Sequence, residues 1–206
     1  MHVEVIGEKD ALTGVLEPVT DEFAGGLNPI RGDCSETGIW KLAQVLKRVP
    51  AHKTIYIYYF GDHDPSGPDI ERDCEYRLRG FLPGRKIVWK RLGITFADYD
   101  AKKPNGDYEL IGFPVKRTAA EKGLWRQYLD KFPDRCVEVD AIPTSELKDR
   151  CRKAIRSHID PVKWAVLEKF EQCEKDALEE HLDLSGSQQK AREAFASLIA
   201  GAHHRI

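Results

Sequence analysis

Residues 54–60 read TIYIYYF and run directly into GDHDPSG at 61–67. The first seven are β-branched or aromatic almost throughout, the pattern of a central strand buried on both faces of a parallel sheet. The next seven are turn formers, and a polar helix is expected from about Asp69 to Phe81, closed by Pro83 and Gly84. A buried strand that passes through a tight turn into a helix is half of a parallel crossover unit, and its connection should be right-handed.

The same alternation continues on both sides of this stretch. Residues His2 to Ile6 alternate around Val3 and Val5, and Leu12, Val15, Leu16, Val19 and Phe23 follow at helical spacing. Leu27 to Ile30 is a short candidate strand. Ile39, Trp40, Leu42, Ala43, Val45 and Leu46 form a second amphipathic pattern, ended by Pro50. Lys86 to Leu92 is strand-like again. Between about Phe96 and Val115 the composition turns to Gly, Pro, Asn, Asp and Lys, which predicts a long exposed loop of the kind that is often functional. Thr118 with Glu121 three residues later forms a capping box for a helix carrying Leu124, Trp125, Tyr128 and Leu129.

Cys136 to Val139 is expected to be a late short strand, and Leu147, Cys151, Ala154, Ile155 and Ile159 stripe the helix after it. Asp160 and Pro161 cap and open a helix to about Leu182, and Ser185 with Gln188 announces a last one carrying Ala191, Phe195, Leu198 and Ile199. The expectation is an α/β domain over residues 1–142, a mainly parallel sheet flanked by helices. A C-terminal helical extension, 143–206, packs on it or follows it.

Composition narrows the function classes. Asp, Glu, Lys and Arg make up 32% of the 206 residues, yet the formal net charge is only −2. No bulk positive field therefore draws in a polyanion, and any nucleic-acid contact needs a local basic face or metal ions. Cys34, Cys74, Cys136, Cys151 and Cys173 show no CxxC spacing, which argues against a zinc knuckle or a disulfide framework and for reduced, structural thiols. No apolar run is long enough for a membrane span, so the expected location is cytoplasmic. P-loop, HExxH and GxSxG patterns are absent from the sequence.

In open parallel sheets ligands collect outside the carboxyl ends of the strands. Glu8 lies just past the first strand, and Asp62 and Asp64 lie just past the apolar one. Two aspartates two residues apart on extended backbone point the same way, roughly 6 to 7 Å apart, with His63 directed to the other side. Carboxylates so placed repel unless a cation lies between them, and Mg²⁺ prefers hard oxygen ligands with several waters retained. The plainer reading is that an aspartate before Pro-Ser-Gly only shapes the turn and caps the helix.

The glutamate after the first strand, in IGEKDAL, and the DxDPxG after the third, in GDHDPSG, resemble the Toprim domain of topoisomerases, bacterial primases and several nucleases. Together with VEVDAIPTSELKDRCRKAIRSHID, the pattern is most similar to the A subunit of topoisomerase VI and the related meiotic break-forming proteins. The similarity covers residues 2 to about 160.

The resemblance implies that Glu8 serves as general acid or base or as a metal ligand, and that Asp62 and Asp64 bind Mg²⁺, with Mn²⁺ as a substitute. It also implies nuclease or topoisomerase-like chemistry on phosphodiesters, on DNA first, with RNA open. One departure matters. In topoisomerase VI the attacking tyrosine belongs to a winged-helix domain ahead of the Toprim domain, whereas this chain starts on the first Toprim strand. Tyr56, Tyr58 and Tyr59 are expected to be core residues. Either the chain is a domain of a longer protein or works with a tyrosine-bearing subunit, or it stands alone and uses water. A non-catalytic nucleic-acid-binding or assembly module is the competing expectation.

Among basic residues, Lys9 and Arg31 follow the first and second strands and are candidate phosphate ligands. Lys148, Arg152 and Arg156 recur every four residues, a stripe able to track a nucleic-acid backbone or merely to face solvent. Lys102, Lys103, Lys116 and Arg117 flank or lie in the long loop and can contact a bound strand. Asp140 is a candidate fourth acid, His203 and His204 are too terminal for a convincing metal site, and the helices beyond Pro161 pack on the sheet or pair with a second subunit.

Overall fold

The computed structural model describes residues 1–30, 36–95, 98 and 136–184. The predicted loop of 96–115, the Thr118 helix, the last helix, Arg31, Lys102, Lys103, Lys116, Arg117, His203 and His204 lie outside the described residues. Strands β1 (His2–Gly7), β2 (Gly26–Pro29), β3 (Ile55–Phe60) and β4 (Ile87–Arg91) alternate with helices α1 (Ala11–Glu22), α2 (Glu36–Lys47) and α3 (Gly67–Phe81). The four strands form one sheet in the order β2-β1-β3-β4, every pair parallel.

The expected two-sided burial of the TIYIYYF strand holds, since Ile55 and Ile57 to Phe60 are all buried. Its alternation divides the core into two layers. Ile55, Ile57 and Tyr59 join Ile39, Leu42, Ala43 and Leu46 of α2 and Cys74 and Leu78 of α3. On the other face, the Tyr58 hydroxyl donates to the Ala154 carbonyl at 3.1 Å, in helix α4 (Thr144–Arg156). Helix α1 packs against α4 on that side.

Two expectations are corrected. The segment Cys136–Val139 is not a sheet strand. Val137 forms one antiparallel bridge with His63, exchanging hydrogen bonds of 2.8 and 2.9 Å, and the chain then turns through the 3-10 residues Val139–Ala141. The Val139 amide, which a strand would have used in a ladder, donates instead to the Asp62 carboxylate at 2.7 Å. Nor are all thiols reduced. Cys136, Cys151 and Cys173 are free, whereas buried Cys74 is disulfide-bonded. Spacing along the chain does not reveal cysteines that the fold brings together.

The first compact unit runs from Met1 to His158 and so includes α4. The apolar stripe Leu147, Cys151 and Ile155 explains this, because all three are buried. The second unit, Ile159–Ile206, contains helix α5 (Pro161–Leu184), whose Val162, Val166, Phe170 and Leu178 are exposed. Among the described residues no helix is long and apolar enough to cross a membrane.

Candidate functional site

Strand order determines where a cleft can form. From β1 the chain crosses to β2 on one side, whereas β3 lies on the other side of β1. Connections leaving these two adjacent strands in opposite directions create a crevice at their carboxyl ends. Glu8 follows β1 directly and Asp62 lies two residues past β3, so both carboxylates stand at this crevice. Ile30 N–H donates to Gly7 O at 2.7 Å and Glu8 N–H to Phe60 O at 2.9 Å, which carries the ladder up to the site itself.

Each acid is held by named donors. Glu8 Oε2 accepts from the Asp62 amide at 2.9 Å and from the Tyr59 hydroxyl at 3.1 Å. Asp62 Oδ1 accepts from the Val139 amide at 2.7 Å, and Asp62 Oδ2 pairs with Lys9 Nζ at 3.2 Å. Asp64 Oδ1 accepts from the Ser66 amide at 2.9 Å, the Ser66 hydroxyl at 2.8 Å and the Gly67 amide at 2.6 Å. Asp64 thus performs the plain turn-closing role the sequence allowed, through one of its two oxygens. Among the described residues, no donor reaches Glu8 Oε1 or Asp64 Oδ2.

Burial is the largest influence on two of these acids. It raises Glu8 above the usual carboxylate range, opposed by the Asp62 amide and assisted by the negative charges of Asp62 and Asp64. It also raises Asp62, although the Val139 amide and Lys9 pull the other way. Burial would lower Lys9, but the Glu138, Asp62 and Asp140 carboxylates outweigh it and hold the ammonium firmly charged. Tyr59 is raised by burial and by Glu8, so its hydroxyl stays a donor. Buried His63, between the aspartates, is lowered to about 4 by burial and then by Arg91, and is neutral at physiological pH.

Some supporting residues were not recognisable in the sequence. Arg91, at the end of β4, donates to the Gly61 carbonyl at 3.0 Å, to the Asp62 carbonyl and to the Ile94 carbonyl at 2.5 Å, and pairs with Glu71. Its guanidinium also lies 5.7 Å from the Tyr59 ring centre. One planar fork therefore fixes the backbone that carries Asp62. Close approach does the rest. A Cβ at Gly61 would lie 2.4 Å from Glu8 Oε2, and one at Gly93 would lie 2.7 Å from both the amide nitrogen and the carbonyl oxygen of Gly61.

The other sequence candidates separate by location. Lys9 Nζ reaches Glu138 Oε2 at 2.9 Å and Asp140 Oδ2 at 3.4 Å as well as Asp62, so Asp140 and Glu138 join the rim of the acidic site. Arg152 and Arg156 do not. Both pair with Glu22, at 3.0 and 3.2 Å, and Arg152 also with Asp149 at 3.3 Å. Helix α1 leaves the carboxyl edge and ends at Glu22 beside the start of β2, so these arginines clip α4 to α1 at the opposite edge of the sheet from Glu8. Lys148, on the same helix, is half-buried and is not brought to the acidic trio by any contact among the described residues.

Hard oxygen donors with unshared lone pairs suit Mg²⁺, which typically takes one or two carboxylates and keeps water or phosphate for the remaining positions. Glu8 Oε1 and Asp64 Oδ2 are oxygens of that kind, whereas both oxygens of Asp62 are engaged by the Val139 amide and Lys9. Among the described residues, no three His, Cys, Asp or Glu side chains are grouped so that they could hold a metal ion. Compared with known proteins, the chain matches no protein-family model, no curated protein and no solved structure.

Proposed function

We propose that this chain is a Toprim-like domain whose crevice carboxylates act with Mg²⁺, or Mn²⁺ in its place, on DNA phosphodiesters, cleaving strands or cleaving and rejoining them. The observation that carries the reading is the direct bond between the two strand ends, from the Asp62 amide to Glu8 Oε2. It sets an acid from β1 against an acid from β3 at the one place where a parallel sheet of this order opens a crevice. Asp62 and Asp64 would hold the cation, with Glu8 beside them.

The bound cation would neutralise a non-bridging phosphate oxygen and steady the departing 3′ oxygen. Glu8 does different work. Half-buried and raised, with Oε2 fixed by two donors, it is suited to carrying or accepting a proton at Oε1. Arg91 keeps the Asp62 loop from shifting, and Tyr59 orients Glu8.

A second reading is favoured by the tyrosines. Of the β3 tyrosines, Tyr58 and Tyr59 are buried and Tyr56, expected in the core, is only half-buried, so the two nearest the crevice are not available to attack DNA; exposed Tyr76 lies on α3. On that reading the domain is a non-catalytic nucleic-acid-binding or assembly module, and a partner carrying the nucleophile completes the site. The two are separated by incubating the protein with supercoiled plasmid in Mg²⁺, Mn²⁺ or EDTA, beside Asp62→Ala and Glu8→Ala. Metal-dependent nicking, linearisation or relaxation that both substitutions abolish supports catalysis by this chain. An unchanged plasmid in every metal rules out stand-alone catalysis and leaves the module reading.

A further inference from the structure

Lys9 is the only cation, among the described residues, that bonds to the acidic groups of the crevice. Five carboxylates lie along it, those of Glu8, Asp62, Asp64, Glu138 and Asp140, and Lys9 Nζ contacts three of them, Asp62, Glu138 and Asp140, at 3.2, 2.9 and 3.4 Å. Arg91 is nearby, but it binds the carbonyl of Asp62 and not its carboxylate. The contacts also differ in setting. The Asp62 side chain is 14% exposed, whereas those of Glu138 and Asp140 are 58% and 52% exposed. Lys9 therefore bridges an inner acid and two outer ones.

We propose that Lys9 is a built-in counter-cation that competes with the divalent metal for Asp62 and, when displaced, stays at the rim to hold a substrate phosphate. This rests on the metal-dependent reading above. Asp62 Oδ1 is taken by the Val139 amide and Oδ2 by Lys9, so a metal bound at Asp62 meets the ammonium on the same carboxylate, and like charges repel. The ammonium has somewhere to go. Glu138 and Asp140 lie on either side of Val139, whose amide ties that turn to Asp62, so the outer pair retains Lys9 beside the crevice. An ammonium on a flexible stem, facing the same opening as a metal, is a suitable partner for a phosphate oxygen. Lys9 would then be a positioning residue that couples cation binding to phosphate binding.

The test is a Mn²⁺ titration followed by the electron-spin signal of the free ion, on the wild-type chain, Lys9→Met and Lys9→Arg. Thermal melts establish that each variant is folded. Removal of the competitor is expected to tighten Mn²⁺ binding at least several-fold in Lys9→Met, while Lys9→Arg, which keeps the charge, stays near wild type. In the presence of Mn²⁺, Lys9→Met should also bind a short DNA duplex more weakly. Equal or weaker Mn²⁺ affinity in folded Lys9→Met overturns the competition and leaves the metal site standing. Absence of Mn²⁺ binding in all three proteins overturns the metal reading itself, and this inference with it.

Discussion

The amide of Asp62 donates to Glu8 Oε2 at 2.9 Å, across 54 positions of chain. This bond makes the carboxyl ends of β1 and β3 one structural object. Anything that moves the 61–62 backbone moves the glutamate.

Gly93→Ala is expected to cost roughly 1 to 3 kcal/mol, the range for overpacking a close contact. Its Cβ would press on Gly61 backbone at 2.7 Å, and backbone cannot rotate away as a side chain tip can. Urea denaturation measures the loss. A midpoint equal to wild type would show that the two glycine backbones do not need this approach.

Arg91→Lys is expected to lower stability by about 2 to 4 kcal/mol, because one ammonium cannot serve the carbonyls of Gly61, Asp62 and Ile94 together. The loss should be accompanied by weaker cation binding, since the Asp62 loop is what the fork fixes. A lysine variant as stable as wild type, with unaltered metal affinity, would remove Arg91 from the account.

How much of this was readable beforehand depends on the range of each signal. The parallel sheet was legible because β1, α1, α2 and β3 carry their periodicity locally, and Glu8 and Asp62 were legible because they lie immediately beyond strands. Arg91, Gly93 and the Val139 amide were not. Arg91 and Gly93 meet backbone atoms 29 or more positions away, the Val139 amide is itself backbone 77 positions from the carboxylate it holds, and a main-chain carbonyl or amide leaves no mark in sequence. The ion pairs of Lys148's neighbours Arg152 and Arg156 were hidden for a related reason. Periodicity showed that the charges share a face, while Glu22, which occupies two of them, lies 130 and 134 residues earlier.

Asp98 supplies a pH prediction away from the crevice. Burial alone would raise its carboxyl, but Arg150, with bonds of 2.6 and 3.1 Å, and the amide and hydroxyl of Thr95 together hold it below the ordinary value of 3.8. A depressed carboxyl contributes stability that is complete above its unfolded value and fades as pH falls through its folded one. Stability should therefore drop below about pH 3.8 in wild type. Arg150→Met is expected to cost about 3 to 5 kcal/mol at pH 7 by leaving Asp98 buried without its partner. Read by urea denaturation beside Asp98→Asn alone, the double variant is expected to cost less than the two single costs added together; a cost equal to their sum would show that the pair is not coupled.

Ala24 closes α1 with φ of 49°, a conformation that costs a residue with a side chain roughly 1 kcal/mol. Ala24→Gly should recover about that much, offset in part by the added freedom of the unfolded chain. A thermal midpoint below wild type would contradict this.

The central claim is that the crevice acids hold a divalent cation, and calorimetric titration with Mg²⁺ tests it most directly. The wild-type chain is predicted to bind the ion, and the double variant Asp62→Ala, Asp64→Ala to lose that binding while remaining folded. Unchanged affinity in the double variant would contradict the account, because the ion would then be held elsewhere.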